Sequence, residues 1–138
     1  MWSQDESKIL TNSNDGTARI WDATTGKELV KLEGHTESVQ QATWSKYESK
    51  VLTSSSDTTA RIWDANTGME LYTLLGHDGS VISAAFSPDG QHIVTASGDG
   101  TARIWNVSIN DLLAEAARLI QRDPPLSTPE EPQRYGLE

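Results

Sequence analysis

A hydroxyl, an imidazole and a carboxylate are the parts of a nucleophile, its base and the group that orients the base. This chain carries them at repeated spacing. His35, Thr53 and Asp57 form one set, and His77, Thr95 and Asp99 a second; a tryptophan, Trp63 or Trp105, follows each aspartate at the same interval. Thr11, Asp15 and Trp21 keep those intervals with no histidine before them. An active site is normally built once, whereas this set recurs with every unit, so its expected role is structural. An indole N–H only donates, a threonine hydroxyl both accepts and donates, an imidazole does the same through its two nitrogens, and a carboxylate accepts. Each set can therefore close one buried hydrogen-bond relay. Ser55 and Ser97 lie on the same strand face as Thr53 and Thr95 and compete for the hydroxyl position.

Other chemistry finds less support. Asn14-Asp15-Gly16 and Asp99-Gly100 lack the alternating acids and terminal glutamate of a calcium loop, and turn formation accounts for them. No glycine-rich phosphate loop follows a strand, and no metal or cofactor is expected. Arg19, Arg61 and Arg103 recur two positions before the tryptophans. They read as stems packed on an aromatic with the head in solvent, in preference to a basic row for an acidic partner. His92 reads as a surface residue.

Composition narrows the field. The 138 residues hold 20 acidic against 11 basic side chains, a formal charge of −9. A phosphate-tracking surface needs a basic face, so no nucleic-acid partner is expected; basic protein partners suit the charge better. With no cysteine, disulfides, thiolate-bound zinc and thiol nucleophiles are excluded. No apolar run approaches the roughly 20 residues that span a bilayer, and Met1 to Glu6 shows no signal peptide. A cytoplasmic protein with no membrane partner is expected.

The elements that must position the relays are announced by a repeat. Thr-Ala-Arg-Ile-Trp begins at Thr17, Thr59 and Thr101, an interval of 42; Gly34-His35 returns as Gly76-His77, and Trp2 aligns with Trp44 and Phe86. Short runs rich in β-branched and aromatic residues read as strands: Val39 to Trp44, Lys50 to Ser54, Thr59 to Trp63 and Met69 to Leu74. Turn residues separate them, as in Ser87-Pro88-Asp89-Gly90. Each unit is then a four-stranded antiparallel sheet, apolar on both faces, which must stack on its neighbours; radial stacking gives a β-propeller.

With Gly34-His35, Gly76-His77, Trp21-Asp22, Trp63-Asp64 and the three spaced aspartates in register, the chain resembles the WD-repeat family over residues 2 to 106. The third copy departs, ending Trp105-Asn106. The wording Asp-Gly-Thr-Ala-Arg-Ile-Trp is similar to bacterial members. The resemblance implies a non-catalytic scaffold for protein or peptide partners, bound on the face of the Gly-His loops and the turns before the third strand. Mapped by position, that face comprises Asn14, Glu37, Gln40, Ser56, Gly79 and Gly98. It also permits a sensing or targeting module of a longer multidomain enzyme or signalling switch.

The fold class expected is all-β: a partial blade at 1–33, a full one at 34–75 and one lacking its last strand at 76–106. Closed propellers have about four to eight blades, so the array is expected to belong to a larger ring or to complete one by homo-oligomerisation. From Val107 the pattern changes. Asn110 reads as an N-cap, and Asp111 to Arg122 as a helix with Leu112, Leu113, Ala116, Leu119 and Ile120 on one face. That helix is expected to cover an exposed blade end, or alternatively to dock a partner. The remainder to Glu138 reads as a partly irregular tail, with Thr128-Pro129-Glu130-Glu131 as a capping box.

Overall fold

Alternating small, β-branched and aromatic residues favour a pleated surface packed on both sides, and ten strands form from them. The computed structural model describes residues 1–106. The expected helix at 111–122 lies outside the described residues. The first sheet contains β1 (Lys8–Asn12), β2 (Thr17–Asp22) and β3 (Glu28–Glu33). β4 (Val39–Trp44), β5 (Lys50–Ser55), β6 (Ala60–Asp64) and β7 (Glu70–Leu74) make the second, and β8 (Val81–Phe86), β9 (His92–Ser97) and β10 (Ala102–Asn106) the third. All pairings are antiparallel between chain neighbours, in the orders β1-β2-β3, β4-β5-β6-β7 and β10-β9-β8. Among the described residues the first sheet has, in place of β4, a bridge from Trp2 to Ile9, with backbone hydrogen bonds from Ser3 to Lys8 and from Leu10 to Met1 on either side. The strand limits read from sequence fall within about a residue of these.

The aspartate that follows each of the first two repeat tryptophans has a local cause. Asp22 Oδ1 accepts from the backbone N–H of Thr24 and Thr25, both at 2.8 Å. Asp64 does the same for Asn66 and Thr67 at 2.8 and 3.0 Å. These Asx turns reverse the chain between third and fourth strands. The turn before each third strand needs a left-handed residue, supplied by Gly16 (φ 91°) and Gly100 (φ 87°) but by Thr58 (φ 77°) in the second copy.

Both faces of the second sheet are buried, which is what makes stacking obligatory. On one side Trp44, Val51 and Trp63 meet Leu10, Ala18, Ile20 and Leu32 of the first sheet. On the other, Leu52, Ala60, Ile62 and Leu74 meet Val81, Ala84 and Ile93 of the third. Strands β4 and β5 carry these contacts, β4 touching β1 and β8, and β5 touching β8. Each fully buried aliphatic side chain contributes about 1.5–3 kcal/mol. The far face of the third sheet has no such cover among the described residues: Ile104 is 76% exposed and Val94 45%. No helix among the described residues is long and apolar enough to cross a membrane.

Candidate functional site

Each relay residue occupies a distinct element. His35 lies in the loop between β3 and β4, Thr53 on β5, Asp57 in the β5–β6 turn and Trp63 on β6. The Trp63 indole N–H donates to Thr53 Oγ at 2.9 Å. Thr53 Oγ lies 2.7 Å from His35 Nε2, and His35 Nδ1 lies 2.8 Å from Asp57 Oδ2. Because the indole can only donate, the threonine hydrogen is free to go to Nε2, which places the imidazole proton on Nδ1, facing the carboxylate. Asp57 also accepts from the Thr59 hydroxyl at 2.6 Å, the Thr59 N–H at 2.9 Å and the Thr36 N–H at 3.1 Å. The His35 and Trp63 rings meet edge-on at 5.9 Å.

The third sheet repeats the arrangement. Trp105 donates to Thr95 at 2.9 Å, Thr95 lies 2.7 Å from His77 Nε2, and His77 Nδ1 lies 2.9 Å from Asp99. The first sheet keeps only parts: Trp21 donates to Thr11 at 2.9 Å, and Thr17 to Asp15 at 2.6 Å. Among the described residues no histidine joins the two halves.

Electrostatics follow from burial. Desolvation holds the His35 imidazole below its ordinary value, against the pull of Asp57. Burial alone would raise the Asp57 carboxyl, but hydrogen bonds from Thr59 and His35 outweigh it and bring its pKa to about 2. The Thr101 hydroxyl and His77 hold Asp99 well below the usual carboxylate range. Thr53 is fully buried and its hydroxyl is engaged on both sides, so it offers no approach to a substrate carbonyl. Among the described residues no group of three His, Asp or Glu side chains could hold a metal ion.

The serines do not take the hydroxyl position. Ser55 Oγ donates to the Ser38 carbonyl at 2.8 Å, and Ser97 Oγ to the Gly79 carbonyl at 3.1 Å; they tie the loops together while the threonines carry the relays. Arg61 also differs from expectation. Its guanidinium is held by Glu70 at 3.0 Å and lies 3.6 Å from Asp57, its side chain only 15% exposed, so the head is not in solvent. Arg19 pairs with Glu28 and Asp15 at 3.3 and 3.4 Å in a more exposed setting, its side chain 30% exposed. These fourth-strand glutamates were missed from sequence. Their signal was there: Arg19 to Glu28 and Arg61 to Glu70 keep one spacing.

The loop-face residues share one end of the strands. Asn14, Glu37, Gln40 and Gly98 are exposed, and Ser56 and Gly79 half-buried. Three of them belong to a polar seam across the sheets. Ser38 donates to Asn14 at 2.8 Å, Gln40 donates to Ser38 at 3.3 Å and to Ser56 at 2.8 Å, and Ser80 lies 3.5 Å from Ser56. Ser38 and Ser80 were not singled out from sequence, since a loop serine carries no distinguishing pattern. Gly79 serves packing, because a Cβ there would meet the Asp99 nitrogen at 2.9 Å.

The family model described as WD domain, G-beta repeat, matches residues 1–22, 26–64 and 68–106. Each full match covers a fourth strand and the next three. No curated protein matches the chain.

Proposed function

We propose, from the premise that this chain belongs to the WD-repeat family, that it is a non-catalytic scaffold whose loop face binds a protein or peptide. WD repeats generally mediate protein–protein interaction. The observation that carries the reading is the hydrogen-bonded seam from Asn14 through Ser38, Gln40 and Ser56 to Ser80. It fixes the side chains of three sheets in one polar surface, which lowers the entropy lost on binding. Glu37 and Asp78 stand exposed on the same loops, so a partner with basic side chains fits best. The uncovered face of the third sheet supports a place for these blades in a larger ring, completed by further blades or by a second copy. A cytoplasmic setting fits the reading.

Charge reversal at Glu37, with Asn66→Lys at the opposite end of the strands as control, tests the face. Glu37→Lys should remove proteins captured by the unaltered chain, while the control retains them. An unchanged set of captured proteins would remove support for the loop face.

A further inference from the structure

The sequence holds four Asp-Gly steps: Asp15-Gly16, Asp78-Gly79, Asp89-Gly90 and Asp99-Gly100. Glycine has no Cβ to crowd its own nitrogen. Such a step is therefore open to an intramolecular reaction, in which the glycine nitrogen attacks the side-chain carbonyl carbon of the aspartate before it.

The same turn shuts three of the four. The Gly16 N–H donates to the Ser13 carbonyl at 3.3 Å, Gly90 to Ser87 at 2.9 Å and Gly100 to Ser97 at 3.2 Å. In each, the aspartate Oδ1 accepts from the backbone N–H two residues on: Thr17 at 2.9 Å, Gln91 at 2.9 Å and Thr101 at 2.8 Å. A hydroxyl adds a bond of 2.6 Å to each carboxylate, from Thr17, Ser87 and Thr101. These bonds hold the three carboxyls below their ordinary values. They stay ionised, and a carboxylate resists nucleophilic attack where a carboxylic acid does not.

Asp78-Gly79, in the loop that enters β8, has neither restraint. Asp78 is exposed. Among the described residues its carboxylate takes part in no hydrogen bond or ion pair, and the Gly79 N–H has no acceptor. The flanks, by contrast, are tethered. The Asp78 N–H donates to Asp99 Oδ2 at 3.0 Å, and the Gly79 carbonyl accepts from the Ser97 hydroxyl at 3.1 Å. The corresponding step of the second unit reads Thr36-Glu37 and has no such reaction open to it.

We propose that Asp78-Gly79 is a site of spontaneous covalent modification, isomerising to isoaspartate. The Gly79 nitrogen bonds to Asp78 Cγ, and the hydroxyl of the protonated carboxyl departs with the amide hydrogen as water, leaving a cyclic imide. Solvent water then adds to the Asp78 main-chain carbonyl carbon. The bond from that carbon to nitrogen breaks, and the nitrogen regains a hydrogen. The chain now runs through Cβ and Cγ, one atom longer, and the former main-chain carbonyl is a free carboxylate. The added atom falls between the two tethers, one of which is Asp99 of the third relay. A changed loop face is a consequence that rests on the binding reading; the modification itself does not.

The full chain, aged near neutral pH, is unfolded and digested with a protease that cuts before aspartate but not before isoaspartate, and missed cleavages are read by mass. Missed cleavage at residue 78 should accumulate about tenfold or more faster than at residues 15, 89 and 99, whose turns must open first. Ageing in denaturing urea should bring the four rates together, because every step keeps its glycine and loses its turn. Equal or slower accumulation at residue 78 in the folded chain overturns the proposal, as does the absence of isoaspartate there. So does a preference for residue 78 that persists in urea, because the neighbouring sequence is then its cause. Partner capture is not read, so failure of the loop-face reading leaves these outcomes unchanged.

Discussion

The second and third sheets carry nearly the same strand sequence and live in different surroundings. Both close the same relay, with the same 2.7 Å contact from threonine to histidine. Yet Ile62 is fully buried while Ile104 is 76% exposed, and Leu52 is 1% exposed against 45% for Val94. The polar relay is therefore a property of one sheet and its entering loop. The apolar core is a property of pairs of sheets, and a sheet at the end of the described array has only half of it.

The largest test of that contrast is truncation of the two isoleucines. Ile62→Ala should cost about 2–5 kcal/mol in denaturant unfolding, and Ile104→Ala within about 0.5 kcal/mol of zero. Equal costs would break the comparison, because they would require a cover over the third sheet in solution. Next comes the relay itself. His35→Ala should cost about 2 kcal/mol by stranding buried groups of Thr53 and Asp57, against about 1 kcal/mol or less for Thr11→Val in the first sheet.

Acidity sharpens the same contrast between complete and incomplete relays. His35 is held neutral by burial, so below its unfolded value of about 6.5 the unfolded chain gains a proton that the folded one refuses. Stability should fall as pH drops from about 6.5. A second loss should follow from about pH 4 downwards, as Asp57 is protonated through its folded value of about 2. Urea midpoints against pH check this: His35→Gln should flatten the upper step and shrink the lower one in part, since the Thr59 hydrogen bonds to Asp57 remain. The smallest effect belongs to the turn. Thr58 is β-branched at φ 77° where the other copies have glycine, so Thr58→Gly should stabilise by about 0.5–1 kcal/mol.

Much of this was legible because each signal is local and repeated. The interval of 42 identified the units, and short β-branched and aromatic runs bounded by turn residues gave the strands. Donor and acceptor inventory paired Trp63, Thr53, His35 and Asp57 across gaps of up to 28 residues. Thr53 was assigned with Ser55 as its competitor, since both point to one face; the structure puts Thr53 on the imidazole and Ser55 on the backbone. Arg61 was read with its head in solvent because its partner Glu70 comes from the neighbouring strand, and only register places the two together. The seam through Ser38 and Ser80 arises between sheets, where no periodicity operates.

Sequence by itself determined which residues form sheets, how many units there are and which side chains compose each relay. All of these follow from backbone period and from hydrogen-bonding capacity within about one repeat. Tertiary structure decided which faces are buried and which arginines are neutralised. Those depend on the neighbour that a sheet meets, and identical residues such as Ile62 and Ile104 meet different neighbours.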